Sequence, residues 1–343
     1  MKAMVLKRIV QLREVSAPLD LEQVPEPRLD AHDILIKVSA CGVCHTELDE
    51  IEGRTPPPHL PVVPGHQVVG TVAAAGPAAT HHPTGSRVGV AWIYAACGRC
   101  TYCRQGTENL CAQFQATGRD VNGGYAQFMK VNERFAFPLP EGLSDVQAAP
   151  LLCAGAIGYR SLRLTGLQNG QKLGLTGFGA SAHLVLMLVR HQYPQTSVYV
   201  FARSAQEQQF ARDLGAVWAG HTMDAPPAKL HAIIDTTPAW TPVVEALNHL
   251  AAGGRLVINA IRKESVDQRV LLQLNYADHL WQEKEIKSVA NVARQDVQEF
   301  IALAEKIPIL PEVQTYPLDQ ANQALLELKQ RNIRGAKVLI MDR

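Results

Sequence analysis

The sequence of 343 residues has few aromatic residues, almost no net charge and no long apolar run. Phe, Trp and Tyr make up 6% of the chain, and the formal net charge is only +1. A balanced charge gives no electrostatic attraction to nucleic acid or to an anionic membrane. The longest apolar runs, such as AHLVLMLV, fall far short of the ~20 residues that cross a bilayer. We therefore expect a soluble globular protein without nucleic-acid or membrane partners.

Cysteine is also scarce, and the total of seven is odd, which excludes complete disulfide pairing. Charges interrupt the N-terminal segment MKAMVLKRIVQLREV every few residues, unlike an export signal or a membrane anchor. We expect a cytoplasmic location, where clustered cysteines bind metal more often than they form disulfides.

The secondary-structure pattern predicted from the sequence changes near Leu151. Before it, segments such as ILIKVSACGVC mix β-branched and small residues, which is typical of strands. After it, KLGLTGFG, ASAHLVLMLVRHQ and SVYVFAR begin a strand–helix alternation that predicts a parallel sheet with helices on both faces. We expect a β-rich domain of residues 1–152, completed by 291–343, and an α/β domain of residues 153–290.

Four cysteines are crowded into CGRCTYCRQGTENLC, and they are Cys97, Cys100, Cys103 and Cys111. The C-x2-C-x2-C-x7-C spacing lets four thiolates surround one structural Zn²⁺ that has no open coordination position. Such an ion stabilises a lobe that has little apolar core. The first rival is an iron–sulfur cluster, but ferredoxin-type runs continue as C-x3-C-P, which is absent here. Four unrelated core cysteines are the second alternative.

The remaining candidates are weak when each is considered alone. His66 follows Pro-Gly, where a histidine is usually structural, and Cys153 beside two leucines resembles a small buried hydrophobe. Cys41 and Cys44 form a C-x-x-C pair that also occurs in redox proteins.

The stretch GFGASA is a G-x-G-x-x-A pattern between a predicted strand and a predicted helix. In a dinucleotide-binding turn Gly177 allows the tight bend, Gly179 lets the backbone approach the pyrophosphate, and Ala182 permits close helix–strand packing. The helix N-terminus then faces the phosphates.

Six motifs occur in the order seen in zinc-dependent alcohol dehydrogenases of the medium-chain dehydrogenase/reductase superfamily: GVCHTEL, PGHQVVG, the cysteine loop, GGYAQF, AAPLLCAG and GFGASAH. The whole chain resembles that family. The resemblance implies a GroES-like catalytic domain and a Rossmann doubly wound parallel-sheet cofactor domain, with the active site in the cleft between them. It also implies hydride transfer between NAD(P) and a primary aliphatic or benzylic alcohol or its aldehyde, in a homodimer or homotetramer.

By this resemblance Cys44, His66 and Cys153 hold a catalytic Zn²⁺ with one open position, so that we expect two zinc ions per subunit. Cys41 then has no role in metal binding and is expected to be a small buried residue. Thr46 matches the hydroxyl that takes the alcohol proton.

Three residues depart from the family pattern around this ion. Asp49 stands where the family often has a histidine that relays the proton, and whether Asp49 relays stays open. Gln67 replaces a glutamate that can approach the zinc, which a neutral amide cannot do. Glu47 replaces an aspartate that orients the histidine ligand, and we expect Glu47 to keep this role.

The cofactor type is predicted from the residues after the strand SVYVF. NAD enzymes carry an acid there, whereas an arginine accommodates a 2′-phosphate. Arg203 and Ser204 occupy the position, which favours NADP(H) over NAD(H); alternatively, Arg203 is a solvated loop residue. His45 matches a family residue that touches the pyrophosphate. Many family members carry an arginine for the cofactor phosphates just before the last strand. That arginine is absent here, and whether Arg334 replaces it stays open.

The substrate pocket of the family is lined by the segment before the cysteine loop, which here contains Trp92 and Ile93. Trp92 would narrow the pocket around the substrate. Alternatively, Trp92 is an ordinary core residue. Thr55 is small, whereas some ethanol-type enzymes carry a tryptophan at this position. Zinc-free quinone or enoyl reductases lack these cysteines. A polyol or secondary-alcohol dehydrogenase and a non-catalytic zinc and dinucleotide-binding protein remain as alternatives.

Overall fold

The computed structural model describes residues 1–307, 309–330 and 336–341. The chain divides into two compact units, Met1–Cys153 with Val292–Arg343, and Ala154–Asn291. None of the helices among the described residues combines the length and apolar character that a membrane crossing requires.

Seventeen strands are defined in the described residues. They are β1 (Lys2–Val5), β2 (Asp20–Gln23), β3 (Asp33–Val43), β4 (Val68–Ala75), β5 (Arg87–Val90), β6 (Ile93–Ala95), β7 (Gln115–Ala116), β8 (Phe128–Asn132), β9 (Ala136–Pro138), β10 (Lys172–Thr176), β11 (Ser197–Phe201), β12 (Trp218–Gly220), β13 (Leu230–Asp235), β14 (Leu250–Ile258), β15 (Glu285–Ser288), β16 (Val313–Pro317) and β17 (Ala336–Ile340).

Nine α-helices accompany them over the same residues. They are α1 (His45–Ile51), α2 (Thr101–Arg104), α3 (Asp145–Pro150), α4 (Ala156–Thr165), α5 (Ala180–Gln192), α6 (Ala205–Asp213), α7 (Thr241–His249), α8 (Arg294–Lys306) and α9 (Ala321–Lys329). Short 3₁₀ helices span Glu108–Leu110, Glu133–Phe135, Gln268–Gln273 and Leu318–Gln320, and single π turns span Leu151–Gly155 and Tyr276–Leu280.

The main sheet of the first unit has the order β16-β17-β3-β4-β5-β9, and β8 also pairs with β3. Its centre is β3, in which the side chains of Ile34, Ile36 and Val38 are buried while Lys37 is exposed. This alternation places one face of the strand in the core, as the period of two residues in a strand requires. β17 pairs antiparallel with β3, with Lys337 opposite Val43, so the end of the chain borders the strand that leads into Cys44.

The second unit is a six-stranded sheet with the order β12-β11-β10-β13-β14-β15, and all of its adjacent strands are parallel. Numbered within the unit, this order is 3-2-1-4-5-6, the doubly wound order of dinucleotide-binding folds. The parallel sheet predicted from the strand–helix alternation is therefore confirmed. The order reverses between β10 and β13, and the crevice at such a reversal, outside the carboxyl ends of the strands, is where these folds bind dinucleotides.

Candidate active site

Three segments of the first unit bring Cys44, His66 and Cys153 together. Cys44 follows β3 and caps the N-terminus of α1, His66 precedes β4, and Cys153 lies in the π turn after α3. His66 Nε2 lies 3.6 Å from Cys44 Sγ and 3.3 Å from Cys153 Sγ, and the three ligand atoms all lie within 4.8 Å of one another. Sulfur and nitrogen ligands of a tetrahedral zinc ion are about 3.6 Å apart. The donor set and its spacing therefore fit Zn²⁺.

Glu47 orients the histidine of this group. Its Oε1 atom lies 2.6 Å from His66 Nδ1, and its Oε2 atom accepts a 2.8 Å hydrogen bond from the backbone N–H of Cys44. Because Nδ1 is engaged by Glu47, Nε2 faces the two sulfur atoms. Both Glu47 and His66 are almost fully buried, so solvent cannot compete for these contacts.

The electrostatics of the group favour a cation. Hydrogen bonding to Cys153, burial and the charge of Glu47 all raise the pKa of the Cys44 thiol well above its ordinary value. Burial also raises the pKa of Glu47, but the charge of His66 and hydrogen bonds outweigh burial and hold it below its usual range. A bound divalent cation would instead stabilise both thiolates.

The cysteine loop forms a second group of four ligand atoms within 4.8 Å of one another, contributed by Cys97, Cys100, Cys103 and Cys111. Cys103 Sγ lies 3.8 Å from Cys97 Sγ and 3.6 Å from Cys100 Sγ, close to the ~3.8 Å of a tetrahedral Zn–thiolate site. Backbone hydrogen bonds from Arg99 and Cys100 lower the pKa of Cys97 to about 6. The loop therefore fits a closed structural zinc site.

The buried carboxylate of Glu108 attaches this loop to the rest of its unit. Glu108 Oε1 accepts hydrogen bonds of 2.8 and 2.7 Å from the guanidinium of Arg294, the first residue of α8. The same guanidinium lies 5.2 Å from the ring centre of Phe135.

The glycine turn lies at the carboxyl end of β10 in the second unit. Gly177 has φ +77° and donates a 2.8 Å hydrogen bond to the carbonyl of Phe201. Gly179 caps α5, and a Cβ atom built on Gly179 would meet no atom within 4 Å. Ala182 is fully buried under the helix. The open space beside Gly179 and the helix start behind it fit a dinucleotide pyrophosphate.

Comparisons with known proteins identify the family of the chain. Residues 30–141 match the family model described as the alcohol dehydrogenase GroES-like domain. The chain is 42% identical over 331 residues to "Probable alcohol dehydrogenase AdhA" of Mycobacterium tuberculosis (strain CDC 1551 / Oshkosh), covering 95% of this chain and 94% of the relative. The chain belongs to the alcohol dehydrogenase family.

Two further members of the alcohol dehydrogenase family match over almost the full length. An alcohol dehydrogenase of Geobacillus stearothermophilus is 30% identical over 337 residues, covering 96% of this chain and 97% of the relative. The structure of a cinnamyl alcohol dehydrogenase from Sorghum bicolor is 25% identical, with a TM-score of 0.86, and covers 99% of this chain and 97% of that one. The predicted family and the GroES-like plus Rossmann fold class are confirmed.

Within this alcohol dehydrogenase, Asp49, which the resemblance aligns with a family relay histidine, is held in an ion pair. Its Oδ1 atom accepts a 2.6 Å hydrogen bond from Arg54 Nε. Arg54 also pairs with Glu52, and Glu52 pairs with Lys329 on α9. This chain of charges favours an anchoring role for Asp49, which fastens the end of α1 to α9. Arg54 and Lys329 belong to no motif, so the sequence alone does not point to them.

The other residues predicted near the catalytic ion are placed as follows. The backbone N–H of Thr46 lies 3.4 Å from Cys44 Sγ. Gln67 is buried against Gly42, where an added Cβ would lie 2.3 Å from Gln67 Oε1. Cys41 is buried within β3 and belongs to neither ligand group. His45 is the first residue of α1 and is exposed.

The predicted pocket residues differ in exposure. Ile93 is fully buried in β6, whereas Trp92 is 9% exposed. The Trp92 ring packs on Phe114, with 5.1 Å between ring centres, and Arg119 lies 5.5 Å from the ring centre. Thr55 follows α1, and its N–H donates a 3.1 Å hydrogen bond to the carbonyl of Asp49.

The predicted NADP residues follow β11. Arg203 is exposed at the carboxyl end of the strand. Ser204 caps α6, because its hydroxyl accepts a 3.1 Å hydrogen bond from the N–H of Glu207, and the Glu207 carboxylate accepts one of 3.3 Å from the N–H of Ser204. This reciprocal cap accounts for Ser204 structurally. Arg334 lies outside the described residues.

A buried ion pair beside the glycine turn was not predicted. Asp235 ends β13 with no exposure, pairs with Lys263, and accepts a 2.6 Å hydrogen bond from the hydroxyl of Thr176 at the end of β10. Lys263 Nζ also donates to the carbonyls of Thr237 and Ala239. The pair therefore fixes the loop that follows β13. Asp235 and Lys263 are 28 residues apart in the sequence. The only signal in the sequence for this ion pair is an aspartate at the end of a predicted strand.

We expect Glu47→Ala to weaken metal binding at the Cys44–His66–Cys153 group by about 10- to 100-fold, because the imidazole loses the carboxylate that orients it. Chelator competition followed by measurement of bound zinc checks this expectation. Glu47→Asp, which restores the family residue, is the matched control and should retain most of the affinity. Equal zinc retention in wild type and Glu47→Ala would contradict the orienting role.

Proposed function

We propose that this alcohol dehydrogenase family member is a zinc-dependent enzyme that moves hydride between NAD(P) and a primary alcohol or its aldehyde. The observation that carries the proposal is the set of two thiols and one imidazole, within 4.8 Å of one another, in a chain that also has a dinucleotide-binding turn. Two cysteines and one histidine with one open position form the zinc set used for this chemistry. The name of the 42% identical relative supports it.

In the proposed reaction, Cys44, His66 and Cys153 would hold the catalytic zinc, which supplies Lewis-acid polarisation of the substrate oxygen. A nicotinamide bound at the glycine turn would supply or accept the hydride. The protein then orients the site: Glu47 holds the proton of His66 Nδ1 and leaves Nε2 free to ligate. The hydroxyl of Thr46 is proposed to accept the alcohol proton. A second zinc would hold the cysteine loop.

Primary aliphatic or benzylic alcohols and their aldehydes are the proposed substrates. The apolar ring of Trp92, which packs on Phe114 and lies 5.5 Å from Arg119, supports a pocket suited to flat or short chains. The cinnamyl alcohol dehydrogenase named among the solved relatives points the same way. A thiol at Cys153, where polyol dehydrogenases usually carry glutamate, argues against a polyol substrate.

The two zinc groups predict different responses to loss of one ligand. Cys153→Ser should abolish aldehyde reduction, followed as NADPH or NADH absorbance at 340 nm, while zinc per subunit falls from two to one and the fold is retained. Cys103→Ser should also lose one zinc but mainly lower the thermal stability, because a closed structural site supplies folding energy. Undiminished turnover in Cys153→Ser would refute the proposed mechanism.

NADP(H) is proposed as the preferred cofactor, supported by Arg203 and the lack of an acid at the end of β11. We expect Arg203→Ala to lower kcat/KM for NADPH by about tenfold or more, because a charge-assisted hydrogen bond to the 2′-phosphate is lost, with little change for NADH. Arg28→Ala, which removes an exposed arginine of the other unit, is the control. Equal losses with both cofactors would contradict a 2′-phosphate contact.

A homodimer or homotetramer is also proposed. β15 is exposed along its length at one edge of the parallel sheet. The segment before it exposes large apolar side chains, including Val266 at 85% and Leu272 at 88%. Unpaired edges and apolar patches of this kind are typical of protein interfaces. The cytoplasmic location stays a prediction.

We expect Leu272→Asp to shift the oligomer toward monomer, since it would bury a charge in the proposed interface. Light scattering after size-exclusion chromatography measures the mass. Leu21→Asp, at an exposed leucine of the other unit, serves as control. A monomeric wild type would exclude the proposed oligomer.

A further inference from the structure

The buried ion pair of Asp235 and Lys263 belongs to a network in which both charged groups are satisfied. The side chain of Asp235 is fully buried, and that of Lys263 is 8% exposed. Lys263 Nζ donates to Asp235 Oδ2 and to the carbonyls of residues 237 and 239, at 2.7 and 2.9 Å for the carbonyls. These contacts match its three N–H groups. Asp235 Oδ1 accepts hydrogen bonds of 2.6 and 2.8 Å from the hydroxyls of Thr176 and Thr237. A buried polar network with every member paired is rigid.

This network lies where the strand order of the parallel sheet reverses. Thr176 is the last residue of β10, Asp235 is the last residue of β13, and the reversal lies between these two strands. In doubly wound sheets the dinucleotide lies at such a reversal, in the crevice outside the carboxyl ends of the strands. The network therefore holds the strand ends that border this crevice.

The loop after β13 packs directly against the glycine turn. A Cβ atom added to Gly177 would lie 2.8 Å from Thr236 Oγ1 and 3.0 Å from Thr237 Cγ2. The N–H and the hydroxyl of Thr236 each donate a 3.0 Å hydrogen bond to the carbonyl of Thr176, the residue before Gly177. The space available to the turn thus depends on where Thr236 and Thr237 lie.

The segment that follows β14 is attached to the same loop at two further points. The N–H of Glu264 donates a 2.7 Å hydrogen bond to the carbonyl of Pro238. The carboxylate of Asp267 accepts hydrogen bonds of 2.9 and 2.7 Å from the N–H groups of Trp240 and Thr241, at the start of α7. The loops after β13 and β14 are therefore joined to each other beside the glycine turn.

Stability alone explains a buried ion pair at this position poorly. Removing an aspartate and a lysine from water offsets much of their attraction, and apolar residues of similar volume are often as stable. Fixing a binding loop in advance, in contrast, raises affinity, because the loop has less freedom to lose when the ligand binds. The pair lies where it would have this effect on a dinucleotide.

We propose that Asp235 and Lys263 are positioning residues that fix the crevice around the glycine turn for the nicotinamide dinucleotide. The inference rests on the proposed function, and the two residues act through the loop of Thr236 and Thr237 rather than by contact with the cofactor. The glycine turn receives the pyrophosphate, which NADPH and NADH share, so the pair should affect both cofactors equally. Arg203, in contrast, is expected to distinguish them.

Isothermal titration calorimetry with NADPH and with NADH tests the proposal. Lys263→Met should raise the Kd of both cofactors by about tenfold, because the loop is no longer held in place. It should also lower the melting temperature, since Asp235 keeps an unpaired buried charge. Asp235→Asn/Lys263→Met removes both charges, so its melting temperature should recover toward that of wild type while both Kd values stay raised.

The matched control is Arg255→Met, which removes an ion pair between β14 and Glu285 of β15 in the same unit. This variant should bind both cofactors as wild type does. Hydrogen–deuterium exchange locates the effect: the amides of residues 236–241 should exchange faster in the double variant than in wild type. The double variant carries the test if Lys263→Met does not fold.

Recovery of cofactor affinity together with the melting temperature in the double variant would overturn the proposal and leave the pair a purely structural role. A loss confined to NADPH, or an equal loss in Arg255→Met, would overturn it as well. Cofactor binding by zinc-loaded wild type without turnover of any alcohol or aldehyde would instead overturn the proposed function. A wild type that binds neither cofactor would overturn both.

Discussion

The geometry of the Cys44–His66–Cys153 group depends on one carboxylate, that of Glu47. One of its oxygens caps the N-terminus of α1 at Cys44 and the other holds Nδ1 of His66. The helix cap and the orientation of His66 therefore depend on the same carboxylate, so a shift at the start of α1 would also turn the imidazole. The carboxylate also adds negative charge beside two thiols, which a bound dication would compensate.

Buried charge pairs hold functional segments elsewhere in both units. Asp235 and Lys263 fix the loop after β13, and Arg54 links Asp49 to Glu52 at the end of α1. Removing such groups from water offsets much of their attraction, so pairs of this kind add little net stability. Their effect here is positional: Asp235 and Lys263 join two loops, and Arg54 ties the turn after α1 back to the helix.

Prediction from the sequence was correct where the residues that form a feature are contiguous in the chain. GFGASA identified the turn and the start of α5 because its glycine spacing is specific, and the predicted helix ASAHLVLMLVRHQ coincides with α5. Cys44, His66 and Cys153 were connected only by resemblance, since they are separated by up to 109 positions and no local pattern encodes their meeting. The burial of Glu50 and the link from Arg54 through Glu52 to Lys329 were not predictable, because both depend on strands and helices brought together from distant parts of the chain.

The pairing of β17 with β3 has a consequence for synthesis of the protein. The strand β3, which leads to Cys44, is translated before the parallel-sheet unit, whereas its neighbour β17 is translated after that unit. The parallel sheet of residues 154–291 is encoded entirely between them and contains all of its own strands. During vectorial translation the intervening unit can fold first, while an open edge of β3 waits for its partner.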